Sequence, residues 1–404
     1  MKILQINCVY PRGATGQITA AIHHRLLSEG HTSTVLYSRG SPNAEPHTFR
    51  VSGTLAGKYN HLISMLTGDV YGGCGLQTRR IIRYIKRHAP ELVHLQCING
   101  YFVNIYRLLG FLKAQGIPTV LTLHADFMFT ANCGVALDCN KWQNGCGSCP
   151  ELRRATHSLF FDRTHASFVK MQKVFDGFGD QLKVVAVSDW LGKRAAMSPI
   201  MRQYPLMTIR NGIDTEIFRP RGDLDVKAKL HISAHESMIL WVSSAFSKEK
   251  GADEFLSLSE AMRGQDYRFV MVGADKPANY EGDVIFTGKI ANPELLAVYY
   301  SAADVMLCCS KQESLPTVCL EAQCCGTPVV AFDVGGVSET IGEGMGELVP
   351  LGDIFAMAAA VARQAKRKSD MTDAQTEAYR RAFDESRMTD AYLSLYESML
   401  SREN

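Results

Sequence analysis

Residues 2–9 read Lys-Ile-Leu-Gln-Ile-Asn-Cys-Val, and residues 238–243 read Met-Ile-Leu-Trp-Val-Ser. Each run is apolar and leads through a glycine-containing turn into an amphipathic segment and then a second short apolar run. This alternation is typical of parallel strands covered by helices. It therefore predicts two doubly wound halves in one chain. In the first half, the first helix is expected at 17–30 and the second strand at 34–37. In the second half, they are expected at 252–262 and 268–272.

Further apolar runs predict more buried strands in both halves, at 92–95, 119–123, 184–187, 284–287, 305–308 and 328–332. The pattern breaks near 204–214, where Pro205 and the Asn211-Gly212 turn interrupt it. We therefore expect an N-terminal domain of residues 1–205 and a C-terminal domain of residues 206–383. Helical periodicity in the tail predicts that residues 384–404 form a helix, which we expect to cross back to the N-terminal domain. Open α/β sheets bind ligands at the carboxyl ends of their strands, so two such domains would face each other across a cleft.

The composition is that of a soluble globular protein. Of the 404 residues, 46% are apolar and 21% charged, and the net charge of +2 gives no global attraction to nucleic acid or membrane. The N-terminus is too polar for a secretory leader, and we find no apolar run of about 18 residues that would span a bilayer. These features predict a cytoplasmic protein and leave a peripheral membrane contact open.

The main chemical motif is Glu-Ser-Leu-Pro-Thr-Val-Cys-Leu-Glu at 313–321. The first glutamate is expected on a loop and the second about one turn into a helix. A helix N-terminus offers free N–H groups to an anion, so a diphosphate could bind near Thr317 and Val318. Glu321 could then accept hydrogen bonds from two ribose hydroxyls, and Glu313 would be free to contact a sugar. The alternative is an ordinary solvated helix face.

This Glu-x7-Glu motif, followed by Ala322 and by Gly-Thr-Pro-Val-Val at 326–330, resembles the family 4 retaining glycosyltransferases. Other matches occur in the expected order up to about residue 350: Thr-Leu-His-Ala-Asp at 122–126, Asn-Gly-Ile-Asp at 211–214, Lys-Gly at 250–251 and Gly-Gly-Val-Ser-Glu at 335–339. The resemblance implies an α/β protein of the GT-B fold, with two Rossmann-like domains and a facing cleft. It also implies transfer of a sugar from a nucleotide-sugar donor, either a UDP- or a GDP-sugar.

The resemblance implies roles for individual residues. His124 and Glu313 would contact the donor sugar as the catalytic pair, and Lys250 would neutralise the diphosphate. Catalysis would need no metal, because a lysine and helix N–H groups can stabilise the leaving phosphate. The donor-binding residues implied are Gly16, Lys250, Lys289, Ile290, Leu315, Pro316, Thr317, Val318 and Glu321. Gly16 would lie in the turn formed by residues 13–16 and let the backbone approach the donor.

One position departs from the family pattern. The family usually has an arginine five or six residues before the lysine, and here those positions are Ser244 and Ala245. Lys248 or Arg12 could replace the missing charge.

A second motif is the cluster Cys133, Cys139, Cys146 and Cys149 in an expected insertion at 127–152. Four thiolates can close a tetrahedral Zn²⁺ shell, so we expect a structural zinc ion, with two disulfides or free thiols as the alternatives. The other eight cysteines are expected to be buried as small apolar side chains. The cluster, together with Trp142 and the Cys-Pro pair, resembles a subgroup of bacterial polysaccharide glycosyltransferases and implies exopolysaccharide or O-antigen assembly.

Residues 79–88 predict a basic amphipathic helix. It would either pack on the first sheet as an ordinary surface helix or meet anionic lipid near a lipid-linked acceptor. His94 is equally consistent with a structural residue and with an acceptor pocket.

Two other functions remain open beside the glycosyltransferase. One is a sugar-nucleotide epimerase on the same two-domain frame, which would form product without an acceptor. The other is a non-catalytic glycan- or nucleotide-binding partner, which the missing arginine favours.

Overall fold

The computed structural model describes residues 1–222, 225–368 and 372–401. The chain forms two compact units. The first comprises Met1–Arg210 and the chain from Met388 onward, and the second comprises Asn211–Arg387.

The first unit is built on a seven-stranded parallel sheet with the strand order β3-β2-β1-β4-β5-β6-β7. Its strands are β1 (Lys2–Val9), β2 (Thr32–Arg39), β3 (Thr48–Arg50), β4 (Leu92–Leu95), β5 (Thr119–Leu123), β6 (Leu182–Ala186) and β7 (Leu206–Thr208). Its helices include α1 (Ala14–Ser28), α2 (Thr54–Thr67), α3 (Gly75–His88), α4 (Ile105–Ala114), α5 (Phe127–Thr130), α6 (Thr164–Phe175) and α7 (Asp189–Ala196).

The second unit has a six-stranded parallel sheet with the order β10-β9-β8-β11-β12-β13. Its strands are β8 (Ser237–Val242), β9 (Tyr267–Val272), β10 (Ile285–Phe286), β11 (Val305–Cys308), β12 (Val329–Phe332) and β13 (Gly346–Val349). Its helices include α8 (Val226–Lys229), α9 (Ala252–Ala261), α10 (Pro293–Ala302), α11 (Thr317–Cys324), α12 (Ile354–Arg367) and α13 (Asp373–Phe383).

The last helix, α14 (Glu385–Leu400), completes the core of the first unit. Its buried side chains recur at helical spacing, with Met388, Tyr392, Tyr396 and Met399 on the inward side. They share one apolar cluster with β1 and α1, for example with Ile3. The helix is therefore an integral part of the first sheet's covering layer.

Both faces of the second sheet are buried. Met238 and Leu240 of β8 belong to one apolar cluster, whereas Ile239 and Trp241 belong to another. Because successive strand residues point to opposite faces, two clusters on one strand mean that helices cover the sheet on both sides. The fold prediction of two Rossmann-like α/β halves is confirmed.

The central strands match the sequence prediction more closely than the edges. β4, β5 and β11 have the predicted bounds, whereas β3, β7 and β13 were not predicted. β7 illustrates the reason, because its three residues lie at a sheet edge and none of them is fully buried. Short, half-exposed edge strands lack the apolar run by which a buried strand is recognised.

The first helix starts earlier than predicted, which corrects the position of Gly16. Gly13 has a φ of 76° and serves as the N-cap, and its carbonyl oxygen accepts a hydrogen bond from Gln17 N at 2.9 Å. Gly16 therefore lies in the first turn of α1 and not in the preceding turn. Among the described residues, no helix has both the length and the apolar content needed to cross a bilayer.

Candidate active site

An ion pair lies in the loops that follow two neighbouring strands of the second unit. Lys250 follows β8, Glu313 follows β11, and Lys250 Nζ donates to Glu313 Oε1 at 2.7 Å. Burial alone would lower the pKa of Lys250, but the adjacent Glu313 carboxylate outweighs it, and the net shift of the pKa is upward. The lysine is therefore a fixed positive charge at neutral pH.

Two close backbone approaches fix these loops. Gly251, with a φ of 85°, packs so tightly that a Cβ there would collide with the carbonyl oxygen of Cys309. Gly335, with a φ of 62°, lies equally close to the carbonyl oxygen of Glu313, which also accepts a hydrogen bond from Gly336 N at 2.9 Å. Glycine is required at both positions by conformation and by space.

The helix α11 begins four residues after Glu313. Its N-cap is Pro316, and no side chain caps its first turn. Glu321 lies one turn further on, is almost fully buried, and accepts a hydrogen bond from the hydroxyl of Tyr300 at 2.8 Å. Burial raises the pKa of Glu321, although its hydrogen bonds with Tyr300 and Thr317 oppose the shift.

The other predicted donor residues of this unit occupy different environments. Leu315 and Pro316 are buried in the turn before α11, and Thr317 and Val318 are half-buried in its first turn. After β10, Lys289 is exposed, whereas Ile290 packs against the apolar core. The structure thus brings Lys250 into contact with Glu313, which lies four residues before the start of α11.

The two replacements considered for the missing arginine are both on the surface. The Lys248 side chain is 80% exposed, and its Nζ lies 3.7 Å from Asp253 Oδ2. Arg12 is exposed in the loop after β1.

In the first unit, His124 follows β5 and is held by a hydrogen bond. Its Nε2 donates to Gln96 Oε1 at 2.8 Å, and Gln96 Nε2 in turn donates to Gln5 Oε1 and His94 Nδ1, each at 3.3 Å. Burial lowers the pKa of His124 to about 4, so the ring is neutral at pH 7. A neutral ring can exchange hydrogen bonds with a sugar hydroxyl without carrying a charge.

His94 lies one layer deeper and is fully buried. Its Nδ1 accepts from the hydroxyl of Tyr396 at 2.6 Å, its Nε2 lies 2.8 Å from Thr122 Oγ1, and Thr122 Oγ1 lies 2.9 Å from the hydroxyl of Tyr392. Burial, with a smaller contribution from His124, holds the pKa of His94 well below its usual range. Both ring nitrogens are occupied, which favours the structural role over the acceptor pocket.

Gly16 packs against the loop that precedes α1. A Cβ at this position would lie 3.0 Å from the carbonyl carbon of Pro11 and 3.2 Å from its oxygen. A glycine is therefore favoured here by packing within the first unit.

Sequence reasoning missed two residues that position this chemistry. Tyr300 orients Glu321 from within the apolar helix α10, where nothing marks its hydroxyl as functional. Gln96 orients His124 and follows β4 directly. A polar side chain at the carboxyl end of a buried strand is a usable signal for such a residue.

The four clustered cysteines lie close together in a loop region. Each pair of the four thiols is near enough for their charges to interact, so burial and mutual repulsion raise the pKa of Cys146 to about 12 and of Cys133 to about 11. Gly145 and Ser148 have positive φ angles, and Lys141 Nζ donates to the carbonyl oxygens of Gly147 and Ser148. Within the described ranges, however, no group of three or more His, Cys, Asp or Glu side chains is arranged to hold a metal ion.

Of the remaining eight cysteines, the structure buries seven and leaves Cys97 half-buried. The expectation of small buried side chains is met at those seven positions.

Comparisons with known proteins identify the kind of protein that this chain resembles. Residues 236–367 match the family described as glycosyl transferases group 1. An alpha-maltose-1-phosphate synthase from Mycobacterium tuberculosis is 26% identical over 335 residues, which cover 71% of this chain and 84% of that protein. A colanic acid biosynthesis glycosyl transferase from Escherichia coli K12 is 21% identical over 369 residues, which cover 86% of this chain and 87% of that protein.

The solved structure of Anabaena HepE in complex with UDP-glucose has the same fold, with a TM-score of 0.64 and 16% identity over 98% of this chain and 100% of that one. Motifs, topology and relatives thus lead to one assignment. The chain is a glycosyltransferase with the GT-B fold, and its residues 236–367 form a glycosyl transferases group 1 domain.

Proposed function

We propose that this glycosyltransferase moves a sugar from a UDP- or GDP-sugar to a glycan acceptor, with retention of configuration, in bacterial surface polysaccharide synthesis. The observation that carries the proposal is the Lys250–Glu313 ion pair. Glu313 is followed in the chain by the start of α11, which no side chain caps, and then by Glu321, whose carboxylate is oriented by Tyr300. This set of groups has a cation and free N–H groups for a diphosphate, and carboxylates for hydroxyl groups.

Departure of the nucleoside diphosphate requires stabilisation of its developing negative charge. Lys250 has three N–H donors and needs one for Glu313, so it can also bind a phosphate oxygen. The free N–H groups at the start of α11 add a second source of positive potential. Such preorganised donors stabilise the leaving group without a metal ion.

The two glutamates are proposed to recognise different parts of the donor. Glu321 is held by Tyr300 through Oε2, and its carboxylate can accept from the ribose hydroxyls. Glu313 is proposed to accept from hydroxyls of the transferred sugar. Leu315, Pro316, Lys289 and Ile290 are proposed to line the nucleotide and sugar positions.

The first unit is proposed to bind the acceptor and to supply His124 to the transferred sugar. The neutral state of His124 supports this role, because a neutral ring can both donate and accept. Gly16 is proposed to let the backbone of α1 come close to the donor. The acceptor is proposed to be lipid-linked, which would place the protein at the cytoplasmic face of the cell membrane.

Two relatives support the donor and the pathway. HepE was solved with UDP-glucose, which is a nucleotide sugar, and the Escherichia coli relative is assigned to colanic acid biosynthesis.

A thermal-shift screen against UDP- and GDP-sugars tests the donor site. A ligand that binds only the folded protein raises the melting temperature by mass action. We expect one nucleotide class to raise it in the wild type and in Glu281→Ala, an exposed glutamate of the same unit, but not in Glu321→Ala.

Product analysis with and without acceptor then separates the alternatives. Conversion of the donor sugar without acceptor would favour the epimerase, and donor binding without any turnover would favour the non-catalytic partner.

We further propose that Cys133, Cys139, Cys146 and Cys149 bind a structural zinc ion that orders the insertion at 127–152. The four soft ligands and their mutual proximity fit this metal, and binding would require the thiols to move closer together and lose their protons. Metal analysis of the purified protein should give about one zinc per chain, following the ligand count of a closed site. The Cys146→Ser/Cys149→Ser variant should lose the metal and Cys97→Ser should retain it; equal zinc in both would contradict the site.

A further inference from the structure

The helix α2 is amphipathic in the opposite sense to a normal surface helix. Its inward side is polar: Asn60 Nδ2 donates to the carbonyl oxygen of Tyr101 at 3.2 Å, the ring of His61 stacks on Tyr101 at 4.7 Å, and Ser64 is the one buried residue of the helix. Its outward side is apolar, at a spacing that forms one stripe along the helix. That stripe consists of Leu55, Tyr59, Leu62, Ile63 and Leu66.

The exposure of this stripe is large enough to demand an explanation. Leu55 is 82% exposed, Tyr59 is 64% exposed and Leu62 is 51% exposed. Isolated exposed leucines are common, but a contiguous apolar stripe marks a contact surface.

A neighbouring loop extends the apolar surface. Leu159 N donates to the carbonyl oxygen of Met65 at 2.9 Å, and Gly68 lies so close to the carbonyl oxygen of Phe161 that a Cβ would collide with it. The loop is therefore fixed beside the end of α2. It presents Phe160, 68% exposed, and Phe161, 55% exposed, next to the helix stripe. We call α2 and residues 159–161 together the apolar face.

Cations outnumber carboxylates around the apolar face. Lys58, Arg153 and Arg163 are exposed, and no ion pair joins any of them to a described residue. Three acidic residues lie nearby. Asp69 Oδ2 is 3.7 Å from Lys170 Nζ, Glu151 pairs with Arg154, and Asp162 accepts a hydrogen bond from Cys149 N. The His157 ring, 5.5 Å from that of His61, places the segment with Arg153 beside α2.

This combination fits the surface of an anionic bilayer. Apolar and aromatic side chains enter the boundary between headgroups and acyl chains, and lysine and arginine meet lipid phosphates. A second copy of this chain fits less well, because a symmetric contact would bring the excess cations of two copies together.

The basic helix α3 differs from α2 in this respect. Ile81 and Ile85 are fully buried, so its apolar side is used within the first unit and its cations form a solvated face. Of the exposed apolar groups that membrane insertion requires, α3 has Leu76 at its N-terminal end, whereas α2 and the 159–161 loop together have a contiguous set.

We propose that the apolar face is a membrane-docking surface that binds anionic lipid bilayers peripherally. Binding does not depend on the glycosyltransferase reaction, so it can be measured without donor or acceptor. It would hold the first unit at the membrane, where a lipid-linked acceptor is found.

Co-sedimentation of the full chain with lipid vesicles tests the proposal. The vesicles are phosphatidylcholine alone or phosphatidylcholine with phosphatidylglycerol. We expect the wild type to bind the anionic vesicles, and Leu55→Asn/Phe160→Asn to bind them at least about tenfold more weakly, because two inserting side chains are lost. Lys58→Gln/Arg153→Gln/Arg163→Gln should lose the preference for anionic vesicles.

The matched control is Leu351→Asn/Phe355→Asn, which removes two exposed apolar side chains from the second unit. It should bind as the wild type does, and melting temperatures should show that all variants are folded. The proposal is overturned if the wild type does not bind vesicles or if the control weakens binding equally. It is also overturned if sedimentation shows a dimer that Leu55→Asn/Phe160→Asn dissociates while vesicle binding is unchanged.

Discussion

The two units hold their polar groups in different ways. In the first unit, His94, Gln96, Thr122 and His124 form a neutral hydrogen-bonded network in which both ring nitrogens of His94 are occupied. In the second unit, Lys250 and Glu313 are charged, and they lie in loops. A neutral network can be buried at low cost when every member is bonded, whereas a buried charge is costly.

Solvent exposure follows the same division. His94 is fully buried, whereas the Lys250 side chain is 39% exposed and that of Glu313 is 17% exposed. A charged ligand can therefore reach the pair in the second unit, and the network in the first unit mainly fixes the shape around His124. The difference teaches that, in the proposed reaction, one unit would supply charge for leaving-group stabilisation and the other would supply rigidity for positioning.

Removal of the lysine charge should have the largest effect on this comparison. We expect Lys250→Met to lower kcat by roughly 100- to 1000-fold, the range for loss of one group that stabilises developing negative charge. Steady-state transfer assays measure this effect. Lys229→Met, an exposed lysine of the same unit, should retain activity, and a similar loss in both variants would show that general electrostatics is responsible.

A substitution at Gly335 tests the close backbone contact that holds Glu313 in place. We expect Gly335→Ala to lower the free energy of unfolding by roughly 3 kcal/mol or more, because a positive φ and a clash with the Glu313 carbonyl act together. Gly352→Ala has a similar φ of 79° but open space, so it should cost only about 1 kcal/mol. Urea denaturation compares the two; equal losses would mean that the close approach to Glu313 is unimportant.

Acid should destabilise the two units to different extents. His23 and His124 of the first unit have pKa values lowered to about 4 by burial. Their folded forms bind fewer protons than the unfolded chain between pH 6.5 and 4, so stability is complete above pH 6.5 and is lost as the pH falls through this window. The loss is roughly 3 kcal/mol for each group at the acid end.

Glu321 of the second unit shows the opposite sign. Its raised pKa means that the folded state takes up a proton before the unfolded state does, so acidification removes the cost of burying the Glu321 charge.

The His124 contribution can be measured by substitution. Because His124→Gln removes the group with the lowered pKa, its free energy of unfolding in urea titrations should fall less between pH 7 and 5 than that of the wild type. Parallel curves for the two proteins would contradict a neutral His124 in the folded state.

The smallest effect is expected at the edge of the network. Tyr396→Phe removes one donor to His94 but leaves Gln96 beside the same nitrogen, so we expect a loss of about 1 kcal/mol in unfolding free energy. Thermal unfolding measures this loss. Tyr84→Phe, whose hydroxyl lies 3.5 Å from Thr34 Oγ1 in a half-buried position, should be nearly neutral.

Much of the fold was predictable because buried parallel strands are continuous apolar runs. Leu92–Leu95 and Val305–Cys308 were predicted with their observed bounds for this reason, whereas the half-exposed β7 has no such signal. In the candidate site, Lys250 and Glu313 were predicted separately from family motifs. Their 2.7 Å contact depends on the pairing of β8 with β11 and is not encoded locally.

Other features could not be predicted because they depend on distant parts of the chain. His94 and Tyr396 are separated by 302 positions in sequence, and nothing near either residue indicates the other. The apolar residues of α2 recur at helical spacing, and pattern alone would assign that side of the helix to the core. The structure turns it outward because Asn60, His61 and Ser64 are the residues that meet Tyr101.

The position of α14 has a consequence for protein synthesis. Tyr392 and Tyr396 complete the hydrogen bonds of Thr122 and His94, yet the ribosome makes them only after the whole second unit has been translated. The first unit must therefore leave the exit tunnel with part of its apolar core uncovered and wait for its last helix. The folding order of this chain is consequently not its translation order, and a stop codon before residue 388 would leave the first-made unit incomplete.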